Sequence, residues 1–147
     1  MNFKKYKLDK IKNIRLVKKL SSESENEFLD KAAAAISNND AVLVDDDFSS
    51  DKEFVNICKK IRELSSLFNK VFFVKNRTDI MQITAADGVI FDENGIEPDD
   101  AKKIIEDEKI LFGVQVKTSA EINDYKAENY DFAITVDEKI IINTKLA

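Results

Sequence analysis

Lys75, Asn76 and Arg77 follow directly on an apolar run, Val71-Phe72-Phe73-Val74, and Asp79 comes two residues later. Two cations beside a carboxamide can hold a small anion such as a phosphate. Lys117, which ends a later apolar stretch, can reach the same anion if the two stretches are neighbours. A second group is acidic: Asp45-Asp46-Asp47 follow Ala41-Val42-Leu43-Val44, and Asp92 follows Gly88-Val89-Ile90-Phe91. Carboxylates at adjacent strand ends suit a hard, oxygen-seeking cation such as Mg2+. A plainer reading pairs the two groups, with Lys75 and Arg77 neutralising Asp45–Asp47 and Asp92 across one rim. Each exposed pair of that kind contributes only about 0–1 kcal/mol.

Several chemistries are excluded outright. The chain has no histidine, which removes Ser-His-Asp triads, imidazole acid–base catalysis and histidine-ligated metals. A single cysteine, Cys58, supports neither a disulfide framework nor a zinc site, and it falls on the apolar side of a predicted helix. The net charge of −5 argues against a nucleic-acid-binding surface, which needs a basic face. Lysines do cluster early, at positions 4, 5, 7, 10, 12, 18 and 19, and read as a solvated N-terminal segment. No apolar run approaches a membrane span and no signal-peptide core opens the chain, so a cytoplasmic protein without membrane contact is expected.

The elements that position these residues follow from periodicity. Runs without alternation, such as 41–44 and 71–74, belong to strands covered on both faces, the habit of parallel strands. Residues 14–17 form a first strand, 88–91 a fourth, 110–116 a fifth and 132–136 a sixth. Phe28, Ala32, Ala35 and Ile36 recur at helical spacing over 27–37, with Asn26 or a nearby serine as cap. Phe54, Ile57, Cys58, Ile61 and Leu64 mark a longer helix capped by Ser50 or Asp51. Short helices are predicted over 80–84, 99–106 and 120–128. Asp137-Glu138 leaves no room for a crossover, so residues 133–143 read as a hairpin or one bent strand covering a sheet edge. At 147 residues the chain divides into a polar, basic, partly disordered segment 1–13 and one α/β domain, 14–147. The alternation gives about six mostly parallel strands, too few for a closed eight-stranded barrel.

The stretch NRTDIMQITAADGVIF resembles the signature of the thiamine-phosphate synthase and TenI family, where Asn-Asp-Arg precedes an Asp, a short helix and Gly-Ala-Asp-Gly-Val-His. ILFGVQVKT is similar to that family's Ile-Gly-Val-Ser-x-His-Thr strand, and AENYDFAI to its Gly-Ala-Asp-Tyr return. VLVDDDFSSDKEF stands where the family has Val-Gln-x-Arg-x-Lys and a Ser-x-x-Glu-Phe helix start. The resemblance covers residues 14 to 136. It implies an incomplete TIM-barrel-like (β/α) repeat, and a reaction joining a pyrimidine pyrophosphate to a thiazole phosphate with magnesium. It also implies a ligand site at Lys75, Asn76, Arg77, Asp79, Gln115 and Lys117. The family's functional residues carry over unevenly. Its pyrophosphate-holding Gln, Arg and Lys fall on Leu43, Asp45 and Asp47, so two cations become two anions. Its Asn-Asp pair falls on Lys75 and Asn76, its second magnesium Asp about at Gly95, and its Ser and His on Gln115 and Lys117. Arg77 and Asp79 match in kind. The glycine-rich loops that hold the thiazole phosphate have no counterpart in a chain with three glycines.

The expectation is therefore a diverged relative in a binding or scaffold role, leaning away from catalysis and needing no cofactor. An active synthase of this family is the alternative. A further alternative resembles a response-regulator receiver, with Asp45–Asp47 holding Mg2+, Asp92 as phospho-acceptor, and Thr118 and Lys139 beside it. Mg2+ belongs to both alternatives. An open barrel would expose its inner Val, Ile and Phe to water. That predicts a homo-oligomer or a larger protein partner, with a small phosphate as the other possible ligand.

Overall fold

The computed structural model describes residues 3–92, 100–101, 105, 107, 109–117, 130–135, 138 and 140–142. Among the described residues seven strands form one sheet in sequence order: β1 (Ile14–Val17), β2 (Ala41–Val44), β3 (Val71–Lys75), β4 (Gly88–Phe91), β5 (Leu111–Val116), β6 (Phe132–Thr135) and β7 (Ile140–Ile142). The first six are parallel, and β7 returns antiparallel on β6 through a tight turn in which Glu138 N–H donates to the Thr135 carbonyl at 2.9 Å. The C-terminal segment is thus a hairpin. A strictly sequential order means that every crossover turns the same way, so the sheet curls into part of a barrel. It is not the reversing order of a doubly wound receiver domain, and the receiver expectation fails on that count.

Both faces of the sheet are buried. Val42, Val44, Phe72, Val74, Val89, Phe91 and Phe112 point outward into one core with the helices. Those helices are α2 (Glu25–Asn38), α3 (Asp51–Leu67) and α4 (Thr78–Ile83), and a further helix, α1 (Phe3–Asp9), precedes β1. Each of the two long helices starts on a serine cap. Ser24 Oγ accepts from Glu27 N–H and Ser50 Oγ from Glu53 N–H, both at 3.1 Å. Ser24, not Asn26, therefore starts α2. The short α4 begins at Thr78, two residues earlier than predicted, and ends where the Thr84 hydroxyl donates back to the Ile80 carbonyl at 2.7 Å. Ala101 and Ile105, from the segment predicted as helix 99–106, are buried in this outer core. The predicted helix 120–128 lies outside the described residues.

Inside the curve, Ile14, Leu43, Phe73, Ile90, Leu111, Phe132 and Ile134 form a second cluster, and each is 1 % exposed or less. Among the described residues the expected exposure of inner apolar side chains does not occur. Two features fill the space. Gly113 faces Phe132 so closely that a Cβ on it would lie 2.4 Å from the ring, and the ring therefore occupies the middle of the concavity. Leu8 of α1 and Ile11 just beyond it close the end where the strands begin.

Residues 3–9 are thus helical, and Leu8 and Ile11 belong to the core, so the described part of the N-terminal segment is not merely solvated. Its lysines have a reason to dock there. Asp40, Asp87 and Asp131 each stand one residue before an even-numbered strand. Asp87 Oδ2 accepts from Phe72 N–H at 2.9 Å, Asp131 Oδ2 from Phe112 N–H at 2.8 Å, and Asp40 Oδ2 from Lys12 N–H at 2.8 Å. Each carboxylate satisfies a backbone donor at a sheet end, as a helix cap does for a helix. Two of them also attract α1: Lys4 Nζ lies 3.2 Å from Asp131 and Lys7 Nζ 3.1 Å from Asp87. Lys4 and Lys7 are three apart, on one helical face, and so reach the sheet together.

Candidate functional site

At the opposite end, where the parallel strands finish, β2, β3 and β4 lie side by side with Val44 beside Val74 and Lys75 beside Ile90. Side chains alternate along each strand. Leu43, Phe73 and Ile90 point inward, so Asp45, Lys75 and Asp92 do too. Lys75 Nζ stands 3.2 Å from Asp92 Oδ2 and 3.7 Å from Asp45 Oδ2. Asn76 has a left-handed backbone, φ 60°, which asparagine tolerates better than most residues. That turn lets its N–H donate to the Ile90 carbonyl at 3.0 Å, while Nδ2 donates to Asp92 Oδ1 at 2.8 Å and Asp46 Oδ2 at 3.2 Å. Oδ1 of Asn76 accepts from Asp92 N–H at 2.9 Å, completing a staple between β3 and β4.

Among the described residues of this mouth one cation, Lys75, stands among three carboxylates, Asp45, Asp46 and Asp92. Burial pulls the Lys75 ammonium down, but Asp45 and Asp92 outweigh it and hold it above its ordinary value. Burial pushes the Asp46 carboxyl up, Asp45 beside it pushes the same way, and the Asn76 bond only partly opposes them. Asp45 Oδ1 also accepts from Asp47 N–H at 3.2 Å, which fixes the acidic turn.

Other predicted residues lie elsewhere. Arg77 turns outward, where Nε and Nη2 make a fork with Asp79 at 3.0 and 2.8 Å and Nη1 donates to Asp51 at 2.8 Å. Asp79 and Asp51 sit in the first turns of α4 and α3, so Arg77 clamps two helix starts together above the Phe54 ring. These bonds hold both carboxyls below their usual range and push the guanidinium up. Asp47 leaves the mouth for Lys18 at 3.4 Å on the surface. Gln115 is half-buried on the inward side of β5, and Lys117 is exposed just past its end. Thr118, Lys139 and Gly95 lie outside the described residues. The structure therefore brings together Asp45, Asp46, Lys75, Asn76 and Asp92, and separates Arg77, Asp79 and Asp47 from them. Sequence reading missed Asp51 as a partner of Arg77. The available signal was that two successive crossover helices both open with an acid.

A sequential, curled parallel sheet with helices outside defines a (β/α)-barrel-type fold, a class in which sites are built at the C-terminal ends of the strands. A sequence model of the thiamine monophosphate synthase (TMP-TENI) family matches residues 16–135, and the chain belongs to that family. The chain is 32% identical over 98 residues to a thiamine-phosphate synthase of Clostridioides difficile, covering 67% of this chain and 46% of that protein. It is 27% identical over 85 residues to the thiamine-phosphate synthase of Caldicellulosiruptor bescii, covering 58% and 38%. These alignments thus span less than half the length of either relative. In structure it is similar to the thiamine phosphate pyrophosphorylase of Pyrococcus furiosus. The TM-score is 0.74 at 19% identity, over 90% of this chain and 66% of that one. That likeness establishes the barrel-type fold.

The magnesium implied by the family can be tested against the mouth. The donor set does not fit it. Lys75 places an ammonium between Asp45 and Asp92, and Asn76 donates its Nδ2 to the carboxylates of Asp46 and Asp92 while its Oδ1 is taken up by the Asp92 N–H. Those oxygens already hold a tethered cation and an amide donor. Among the described residues no three acidic or thiol side chains converge as a metal site.

Proposed function

We propose that this chain is a binding or scaffold member of the thiamine monophosphate synthase family and does not form thiamine phosphate. One observation carries the reading: the Lys75 ammonium and the Asn76 side-chain amide already occupy the mouth among Asp45, Asp46 and Asp92. Leu43, Asp45 and Asp47 stand where the family resemblance places its pyrophosphate-binding side chains. Asp45, which faces the mouth, repels a pyrophosphate unless a metal intervenes, while Asp47 turns away to Lys18. The ammonium fills the place such a metal would need.

In this reading the partner is another protein chain, a second copy included, met along an open sheet edge. Among the described residues β1 pairs only with β2, and β7 only with β6. Manganese, a paramagnetic stand-in for magnesium, tests the mouth directly. It should leave the amide signals of Asp45–Asp47, Asn76 and Asp92 unbroadened at concentrations that saturate ordinary magnesium enzymes. Selective broadening of those signals would restore the metal-dependent synthase as the better reading.

A further inference from the structure

We propose that the cavity at the other end of the sheet, where the strands begin, binds a small phosphorylated molecule. It measures about 530 Å3 and lies between α1, the C-terminal part of α3 and the start of β3. That volume is in the range of ordinary small-molecule pockets, about 300–1,000 Å3.

Its charge is the main argument. Among the described residues five cations, Lys7, Lys10, Arg62, Lys70 and Lys109, line it against two carboxylates, Asp40 and Asp87, a surplus of three positive charges. The whole chain carries −5, so this concentration runs against the protein's own balance. Both carboxylates are already engaged. Asp87 accepts from Lys7 at 3.1 Å, Arg62 at 3.0 Å and the Phe72 amide at 2.9 Å, and Asp40 accepts from the Lys12 amide at 2.8 Å. Lys10 and Lys70 make no ion pair among the described residues. The Lys10 ammonium lies instead 4.1 Å over the ring of Tyr6. Cations of one sign around a shared hollow repel each other, and an anion with two or more charges relieves that repulsion.

The wall also offers neutral donors. Ser66 Oγ accepts from Arg62 Nε at 3.1 Å, which leaves its O–H to donate. Asn69 holds its amide at the end of α3 on a left-handed backbone, φ 54°. A second cavity of about 440 Å3 shares Lys7, Asp87 and Lys109 and adds Met81, Ala86 and Ile110. A ligand with its phosphate among the lysines has room there for an organic, partly apolar body. The mouth at the opposite end has no such surplus, since its ammonium is enclosed by carboxylates. The small volume and the acidic chain favour a small molecule over a nucleic acid.

Inorganic pyrophosphate is a suitable probe, titrated into the full chain at constant ionic strength with amide signals as the readout. Saturable shifts are expected at Tyr6–Lys10 and Asn69–Val71. Lys10→Ala/Lys70→Ala should weaken binding by about tenfold or more, equal to about 1.4 kcal/mol or more. Neither side chain is in an ion pair, so the thermal midpoint should hold. Lys10→Gln/Lys70→Gln, which keeps most of the packing, should weaken binding in the same way. The proposal is overturned by non-saturable shifts, by shifts confined to Asp45–Asp47 and Asp92, or by unchanged affinity in both double variants. It is also overturned if single-stranded RNA binds these amides more tightly as its length grows.

Discussion

Lys75 and Arg77 are neighbours in sequence with opposite fates, and the strand decides which is which. Lys75 is the last residue of β3 and keeps its inward alternation, so it enters the mouth. Arg77 lies beyond the left-handed turn at Asn76 and is captured by Asp51 and Asp79. Asp46 provides the pH test of this arrangement. Burial first, and then Asp45, raises its folded pKa. A carboxyl raised by folding favours the folded state while protonated, and that favour is lost as pH rises through the folded value. At neutral pH the ionised form is therefore destabilising. Asp46→Asn keeps an oxygen for Asn76 and should stabilise the fold at neutral pH by about 0–1 kcal/mol after solvent screening. The gain should disappear below the ordinary carboxylate range. Urea unfolding of both proteins at neutral and acidic pH measures it, and a variant weaker than wild type at neutral pH would contradict the electrostatic account.

At the scale of elements, the interior depends on one strand pair and one helix. A Cβ at Gly113 would lie 2.4 to 2.8 Å from three carbons of the Phe132 ring. Gly113→Ala should therefore cost about 1–3 kcal/mol, and much less in a Phe132→Leu background, where the ring no longer blocks the methyl. A double-mutant cycle in denaturant reads the coupling, and additive losses would mean that the two residues do not share the space. Leu8 is 1 % exposed and closes the concavity from α1. Leu8→Ala should cost about 2–5 kcal/mol by opening a cavity, visible as a lower unfolding midpoint. A surface-like loss below about 0.5 kcal/mol would show that α1 is not part of the core.

How far the sequence disclosed these elements depends on distance along the chain. Val42–Val44, Phe72–Val74 and the Phe54–Ile57–Ile61 stripe announce their strands and helix locally, because burial on two faces or one leaves its own period. The role of α1 is not local. Lys4 and Lys7 are explained only by Asp131 and Asp87, which lie 127 and 80 residues away. Without those partners the segment reads as a solvated run of lysines. The mouth was half legible. Residue types and strand ends placed Asp45, Asp46, Lys75 and Asp92 together, whereas the outward path of Arg77 required knowing where α3 begins in space.

For the whole molecule, the curl of the sheet gives it two unlike ends. One end is a mouth in which Lys75 stands among three carboxylates, and the other is a floor closed by α1 and lined, among the described residues, by five cations and two carboxylates. Arg15 of β1 lies 3.5 Å from Glu138 in the β6–β7 turn, so the first strand and the final hairpin approach across the opening. That pair is exposed and contributes little by itself, but it records how far the sheet has curled. No helix among the described residues is long and apolar enough to cross a membrane. The most direct test of the central claim is a turnover assay. It supplies the full chain with a pyrimidine pyrophosphate, a thiazole phosphate and magnesium, and follows formation of thiamine phosphate. No product above the uncatalysed background is expected, because the ammonium of Lys75 stands between the carboxylates of Asp45 and Asp92, where magnesium pyrophosphate would have to bind. Sustained turnover that disappears in Lys75→Ala would contradict the account and make the mouth an active site.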